Sequence, residues 1–311
     1  MPLTKATQAF ISQVLSQGGK SILAMSLAEF REMQRQINAS LAGPEPTMVH
    51  SQKLTVGRTQ VNIHQPDDFH SGMPTLLYVP GGAFVTSGFD NLAPKRMARV
   101  AQIIVINHRL APEFPLPASI DDIENAILDI CNHKESLNIN EKALYIGGDS
   151  SGAGFVLAAC LRMRDKKTLP ELNQLIFISP AVDLSMAPNS FAEFDQEDKL
   201  FGDEVVTAVQ QWYAPDCDLT DPEISPLYHR SGFADLPPVS IIIPEYDRLR
   251  SQAHALKEAL EKNNVSVTEH VCTGQIHASL NLRGVLNDGE DPAEVVAATL
   301  SQYAPSPCFS R

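Results

Sequence analysis

Leu144-Tyr145-Ile146-Gly147-Gly148-Asp149-Ser150-Ser151-Gly152-Ala153-Gly154 is an apolar run that meets a Gly-x-Ser-x-Gly turn and then resumes at helical spacing. A serine that caps a sharp strand-to-helix turn needs small neighbours two residues away on either side, so that its hydroxyl stands clear. Gly148 and Gly152 meet that demand around Ser150. Five-residue patterns also arise by chance, and a glycine-rich strand–helix junction with an incidental serine is the plainer reading. The strand pattern before the turn and the helical pattern after it favour a nucleophile.

Composition narrows the class. The 311 residues are 43% hydrophobic, enough for one large α/β core with insertions. A formal charge of −13 argues against nucleic acid or an anionic membrane as partner, because either needs a basic face. Cys131, Cys160, Cys217, Cys272 and Cys308 are scattered and odd in number, which suits reduced thiols in a cytoplasm and offers no metal-ligand spacing. Gln13, Ser16, Gln17 and Lys20 interrupt any signal-peptide pattern. The uncharged stretch 71–89 carries four glycines and two prolines, which excludes a membrane helix.

Along the chain, residues 4–41 read as helix divided at Gly18-Gly19, and Val49 to His64 as two strands joined at Gly57-Arg58. Strands are expected at Thr75–Val79, Ile103–Asn107, Ala143–Ile146, Leu175–Ile178, Val239–Ile243 and Val265–Val271. Ser119, with Asp122 three residues on, reads as the N-cap of a helix whose apolar face is Ile123, Ala126, Ile127 and Ile130. Residues 184–222 break the rhythm with acidic and aromatic residues (Phe191, Phe194, Phe201, Trp212, Tyr213) and read as an inserted helical lid. Strands alternating with helices imply a mostly parallel sheet covered on both faces.

Chemistry in such a sheet gathers at loops leaving the carboxyl ends of strands. Pro80-Gly81-Gly82-Ala83-Phe84 follows one strand, and small residues there let backbone N–H groups face a developing oxyanion; a plain tight turn is the simpler account. Asp247 follows another strand, where an acid orients an imidazole or merely caps a helix. Gly274-Gln275-Ile276-His277 follows the last. Of the nine histidines, His254 falls in a helix, His270 in a strand, and His50, His64, His70, His133 and His229 in polar surroundings. The order Ser150, Asp247, His277 is that of an α/β-hydrolase.

With these motifs in order, the chain resembles the hormone-sensitive-lipase-like esterases of the α/β-hydrolase superfamily. Their His-Gly-Gly-Gly-Phe is similar to Pro80 to Phe84, their Tyr-Arg-Leu-Ala-Pro-Glu to His108 to Glu113, and their Gly-Asp-Ser-Ala-Gly to Gly148 to Gly152. Ser179 to Leu184, Asp221 to Leu227, Leu236-Pro237-Pro238 and Glu245 to Asp247 also match, and His277 falls on the family's histidine. The resemblance spans roughly residues 75–285.

It implies an α/β-hydrolase fold with helical cap segments at 1–45 and 184–222 and core segments at 46–183 and 223–311. It also implies a triad of Ser150, His277 and Asp247, with the N–H groups of Gly82, Ala83 and Ser151 as oxyanion hole. The substrate would be a short- to medium-chain carboxylic ester, with no metal or cofactor. The oligomeric state is left open, a homodimer included. An amidase or peptidase needs the same triad, and a ligand-binding receptor of the group would lack the histidine. Pro80 replaces a histidine and Ala83 a glycine, which leaves the loop's geometry open, since proline lacks the histidine's side-chain hydrogen bonds and alanine resists positive φ. Ser151 for an alanine, His108 for a tyrosine, and Arg248, Ser251 and Gln252 read as peripheral to the chemistry. As a donor, Ala83 is expected at negative φ, which alanine adopts without strain.

Overall fold

Burial of the central strands at every position decides the architecture. The computed structural model describes residues 2–17, 20–186 and 202–302. Among these, β1 (Val49–Val56), β2 (Thr59–Pro66), β3 (Thr75–Val79), β4 (Gln102–Ile106), β5 (Leu144–Asp149), β6 (Gln174–Ile178), β7 (Val239–Pro244) and β8 (Val267–Cys272) form one sheet. Their order is β1-β2-β4-β3-β5-β6-β7-β8. β2 pairs antiparallel with β1 and β4, and every pairing from β4 to β8 is parallel.

The central strands are buried on both faces, and alternate residues enter different cores. Leu77, Ile104, Ile146, Phe177 and Ile241 point to one side, packed under α4 (Ala118–Asn132), α5 (Ser151–Asp165) and α7 (Arg250–Lys262). Leu76, Ile103, Tyr145, Ile176 and Ile242 point to the other, under α3 (Ala93–Met97) and α8 (Pro292–Ser301). Successive strand residues face opposite ways, so a run apolar at every position has to be covered twice. Each fully buried Leu or Ile contributes roughly 1.5–3 kcal/mol. Cys131, Cys160, Cys217 and Cys272 are free thiols, and Cys308 lies outside the described residues.

Above the carboxyl ends of the strands lie α1 (Lys5–Gln17), α2 (Leu27–Leu41) and α6 (Asp203–Tyr213). Ser26 and Glu29 form a capping box that starts α2. Phe10 and Ile11 of α1 pack with Ile276, Leu282 and Leu286, so the helix rests on the segment that carries His277. Phe30 of α2 meets Trp212 of α6 at 5.1 Å, and Glu204 of α6 accepts the Ile22 N–H at 2.8 Å. Gly18, Gly19, Phe191, Phe194 and Phe201 lie outside the described residues. None of the described helices is long and apolar enough to cross a membrane.

Two local expectations need correction. Ser119 is not an N-cap: α4 begins at Ala118 behind Pro117, and the Ser119 hydroxyl donates to Arg109 O at 2.8 Å. Asp122 takes the Arg109 N–H and its guanidinium, so the residues that looked like a capping box hold the 108–113 segment instead. His64 is not in polar surroundings: it is fully buried in β2, its Nδ1 2.8 Å from Ser51 Oγ, and burial pushes its pKa down to about 4.

Candidate active site

The elbow is built by close packing. Ser150 sits between β5 and α5 at φ 51°, ψ −124°, a left-handed conformation that costs an L-residue roughly 1–2 kcal/mol. The turn holds it there. Its N–H continues the sheet to Ile178 O at 2.9 Å, and its carbonyl accepts Ala153 N–H and Ala181 N–H at 3.1 Å. A Cβ on Gly148 or Gly152 would lie 2.5 or 2.1 Å from Val79 O, so both flanking glycines are required by close approach to β3.

The three predicted residues meet. Ser150 Oγ lies 3.1 Å from His277 Nε2, and His277 Nδ1 lies 3.0 Å from both Asp247 oxygens. Asp247 is fully buried, and its Oδ1 also accepts the Leu249 N–H at 2.8 Å. An Nδ1–H donated to that carboxylate would turn the ring's acceptor nitrogen, Nε2, toward the serine hydroxyl, an arrangement that can take up a proton from it. Tyr246 N–H donates to Gln275 O at 2.9 Å and ties the acid's loop to the histidine's loop. Gly274 N–H donates to Glu245 Oε2 at 2.7 Å and strengthens the same seam.

The loop expected to supply the oxyanion hole, Pro80 to Phe84, departs from expectation. Ala83 has φ +50°, not a negative value, and Phe84 follows at φ +64°. Tertiary contacts impose this pair of left-handed residues. Gly82 O accepts Val85 N–H at 3.1 Å and Thr86 N–H at 2.8 Å, closing a tight turn over Ala83 and Phe84. The Phe84 ring is buried, stacked on Tyr213 at 4.6 Å and edge-on to Phe155 at 5.3 Å. Burying an aromatic ring outweighs the backbone cost. The Gly82 N–H is also engaged, donating to Ser151 Oγ at 3.1 Å.

Above Ser150 opens a cleft of about 1040 Å³, floored by Gly82, Ala83, Ser150 and His277. Its walls are largely apolar: Phe10 and Val14 from α1, Met33 and Ile37 from α2, Val205 from α6, and Leu282. A smaller cavity of about 400 Å³ by Gln52, Gln102 and His133 carries no triad residue. His270, Cys272 and Glu290 place possible metal-ligand atoms within 4.8 Å of one another. There His270 Nε2 is already 2.8 Å from Glu290, and burial pushes the Cys272 thiol up to about 12, so the cluster is satisfied by its own hydrogen bond and a neutral thiol.

Some residues at the site carry no strong local signal. Gln252, which read as peripheral, is buried and clamps the entrance to the cap: its Oε1 accepts Val182 and Asp183 N–H at 3.0 and 2.9 Å. Leu184 N–H donates to Ser225 Oγ at 2.7 Å and brings the two ends of the insertion together. Asp149, inside the elbow motif itself, is buried and bonded to Tyr78 and Gly81.

Residues 76–281 match the family described as alpha/beta hydrolase fold. The carboxylesterase NlhH of Mycobacterium tuberculosis is 30% identical over 229 residues, 71% of each chain. The ethyl acetate hydrolase of Pseudomonas putida is 28% identical over an alignment of 311 residues, covering 93% of this chain and 96% of its own. Among solved structures, an alpha/beta hydrolase enzyme from the metagenome of Lake Arreo, Spain, superposes with a TM-score of 0.84. Its identity is 27%, over 97% of this chain and 98% of the other.

Proposed function

Because this chain belongs to the α/β-hydrolase fold family, in its hormone-sensitive-lipase-like branch, we propose that it hydrolyses carboxylic esters through Ser150, His277 and Asp247. The observation that carries this reading is the unbroken contact from Ser150 Oγ through the imidazole to the buried Asp247 carboxylate. His277 Nε2 takes the serine proton as Oγ attacks the ester carbonyl, and Asp247 stabilises the resulting imidazolium. The carbonyl oxygen becomes an oxyanion beside the N–H groups of Ala83 and Ser151, which have no acceptor among the described residues. Gly82 N–H joins them only by exchanging Ser151 Oγ for the oxyanion. Collapse expels the alcohol, which takes the proton from Nε2. Water, deprotonated by the same imidazole, then attacks the acyl-enzyme and releases the acid and Ser150.

The described parts of the cap segments 1–45 and 184–222, namely α1, α2 and α6, shape the acyl pocket, and their apolar walls support short- to medium-chain esters as substrates. The volume is at the upper end of small-molecule pockets, roughly 300–1,000 Å³. A presence of the histidine in bonding position speaks against a non-catalytic receptor. The test is a chromogenic ester series of increasing acyl length, with the matching anilides for amide cleavage. The parent should cleave the shorter esters, with a rate that rises with pH through one titration and then levels. A fluorophosphonate should label Ser150. Ester cleavage that survives Ser150→Ala would remove the proposal.

A further inference from the structure

The oxyanion loop has Pro80 where the resembling family has a histidine, and proline brings neither a side-chain hydrogen bond nor an N–H. Something else must hold the loop against the nucleophile. Asp149, the last residue of β5, is buried directly beneath it. Asp149 Oδ1 accepts the Tyr78 hydroxyl at 2.6 Å and the Gly81 N–H at 2.8 Å. The fit is close, since a Cβ on Gly81 would lie 2.7 Å from Asp149 Oδ2 and 3.0 Å from Ser150 Cβ. Asp149 also lines the cleft with Asn281, four residues beyond His277.

Burial pushes the Asp149 pKa up, and the Tyr78 hydroxyl, the Gly81 N–H, the His277 charge and the Asn281 side chain pull it back. A carboxylate that is costly to bury and yet touches neither of its triad neighbours' hydrogen bonds is unused by the mechanism above. Its partners come from β3, from the oxyanion loop and, through the Asn281 side chain and the His277 charge, from the histidine's segment.

We propose that Asp149 is a positioning residue, whose carboxylate fixes the Gly81 peptide through the Tyr78–Asp149–Gly81 hydrogen bonds and so keeps the next two residues, Gly82 and Ala83, in register with Ser150. This rests on the esterase reading above. The consequence is kinetic: a catalytic group misplaced by about 1 Å loses on the order of 10²-fold in rate, while ground-state binding in the apolar cleft is left alone.

The experiment compares Asp149→Ala, Asp149→Asn and Tyr78→Phe on a short-chain chromogenic ester, each first shown to melt cooperatively. Asp149→Ala should lower kcat by about a hundredfold with KM within about threefold of the parent. Asp149→Asn keeps an oxygen for both donors and should recover most of that loss. Tyr78→Phe, which keeps the ring in place, should lower kcat by about tenfold at constant KM and carries the test if the alanine variant does not fold. An undiminished kcat in folded Asp149→Ala or Tyr78→Phe overturns the proposal, as does an asparagine variant no better than alanine or a loss confined to KM. If Ser150→Ala is inactive while Asp149→Ala is unimpaired, only this inference falls. If Ser150→Ala remains active, the esterase mechanism itself is wrong.

Discussion

The floor and the roof of the cleft are made differently. The floor is the carboxyl end of β3, β5, β6 and β7, strands buried at every position, and the three residues proposed to react lie in buried or half-buried loops already at bonding distance. The roof is three amphipathic helices joined to the floor by fewer and more exposed contacts. Arg248, itself buried, pairs at 2.7 Å with Asp203 at the start of α6, whose side chain is 79% exposed. Arg31 of α2 reaches Val85 O and Ala111 O at 2.8 Å and pairs with the exposed Glu113. Preorganisation belongs to the rigid layer, where a small displacement is expensive, and shape selection to the layer that can vary without disturbing it.

That contrast predicts a graded series. Ser150→Ala should lose on the order of 10⁶-fold in kcat with the fold intact, as removal of a triad serine does elsewhere. Asp247→Asn should follow at about 10⁴-fold, because an amide at the buried acid position favours the wrong imidazole tautomer. Pre-steady-state and steady-state rates on one ester would rank the two, and an Asp247→Asn enzyme near parental turnover would detach the acid from the mechanism.

The next effect falls on stability and on the sheet, at its antiparallel strand β2 beside the floor. His64 is held neutral by burial, with its pKa down at about 4 from 6.5. The unfolded chain therefore binds a proton between these values that the folded chain refuses. Stability is fully present above about pH 6.5 and declines as pH falls toward 4, by on the order of 3 kcal/mol from this group. Urea unfolding of parent and His64→Gln at pH 7 and at pH 4.5 would isolate it; equal pH slopes for the two proteins would rule it out.

On the roof, Met33→Trp should fill part of the cleft and lower kcat/KM for a medium-chain ester by about tenfold, leaving the shortest ester nearly unaffected. Equal losses on both esters would mean that Met33 supports the floor. The smallest effect is at Ala83. Glycine tolerates φ +50° without the Cβ penalty, so Ala83→Gly should raise stability by up to about 1 kcal/mol and leave kcat within about threefold. A marked fall in melting temperature would show that the Ala83 methyl packs better than its backbone suffers. Ala83→Pro is a poor probe of the donor, because proline's fixed negative φ would rebuild the turn.

The strands are largely legible in the sequence because they rest on local pattern, and the three residues picked out by motif and order, Ser150, Asp247 and His277, do lie at bonding distance. Thr75–Val79 matches the expected strand end for end, and the other central strands shift by one to three residues at their ends, the largest shift being at β5, which runs on to Asp149. Where the reading failed, one sequence signal served two structures. Ser119 and Asp122 have capping-box spacing, but Arg109 competes for both. His64 sits among polar letters, yet β2 is a strand next to β4 in the sheet and turns that residue inward. Ala83 was expected to obey its own steric preference, and the burial of Phe84 overrode it.

The sequence by itself determined the alternation of strand and helix, the glycines around Ser150, and the order of serine, acid and histidine along the chain, because each follows from spacing between near neighbours. Only the tertiary structure decided which groups touch. Ser150 and His277 are 127 positions apart and meet because parallel strands bring their exit loops to one edge. The left-handed turn at Ala83, the depressed pKa of His64 and the bonding of Asp149 to Tyr78 and Gly81 depend on burial by distant segments. Desolvation and packing act through space, and no local pattern of residues encodes them.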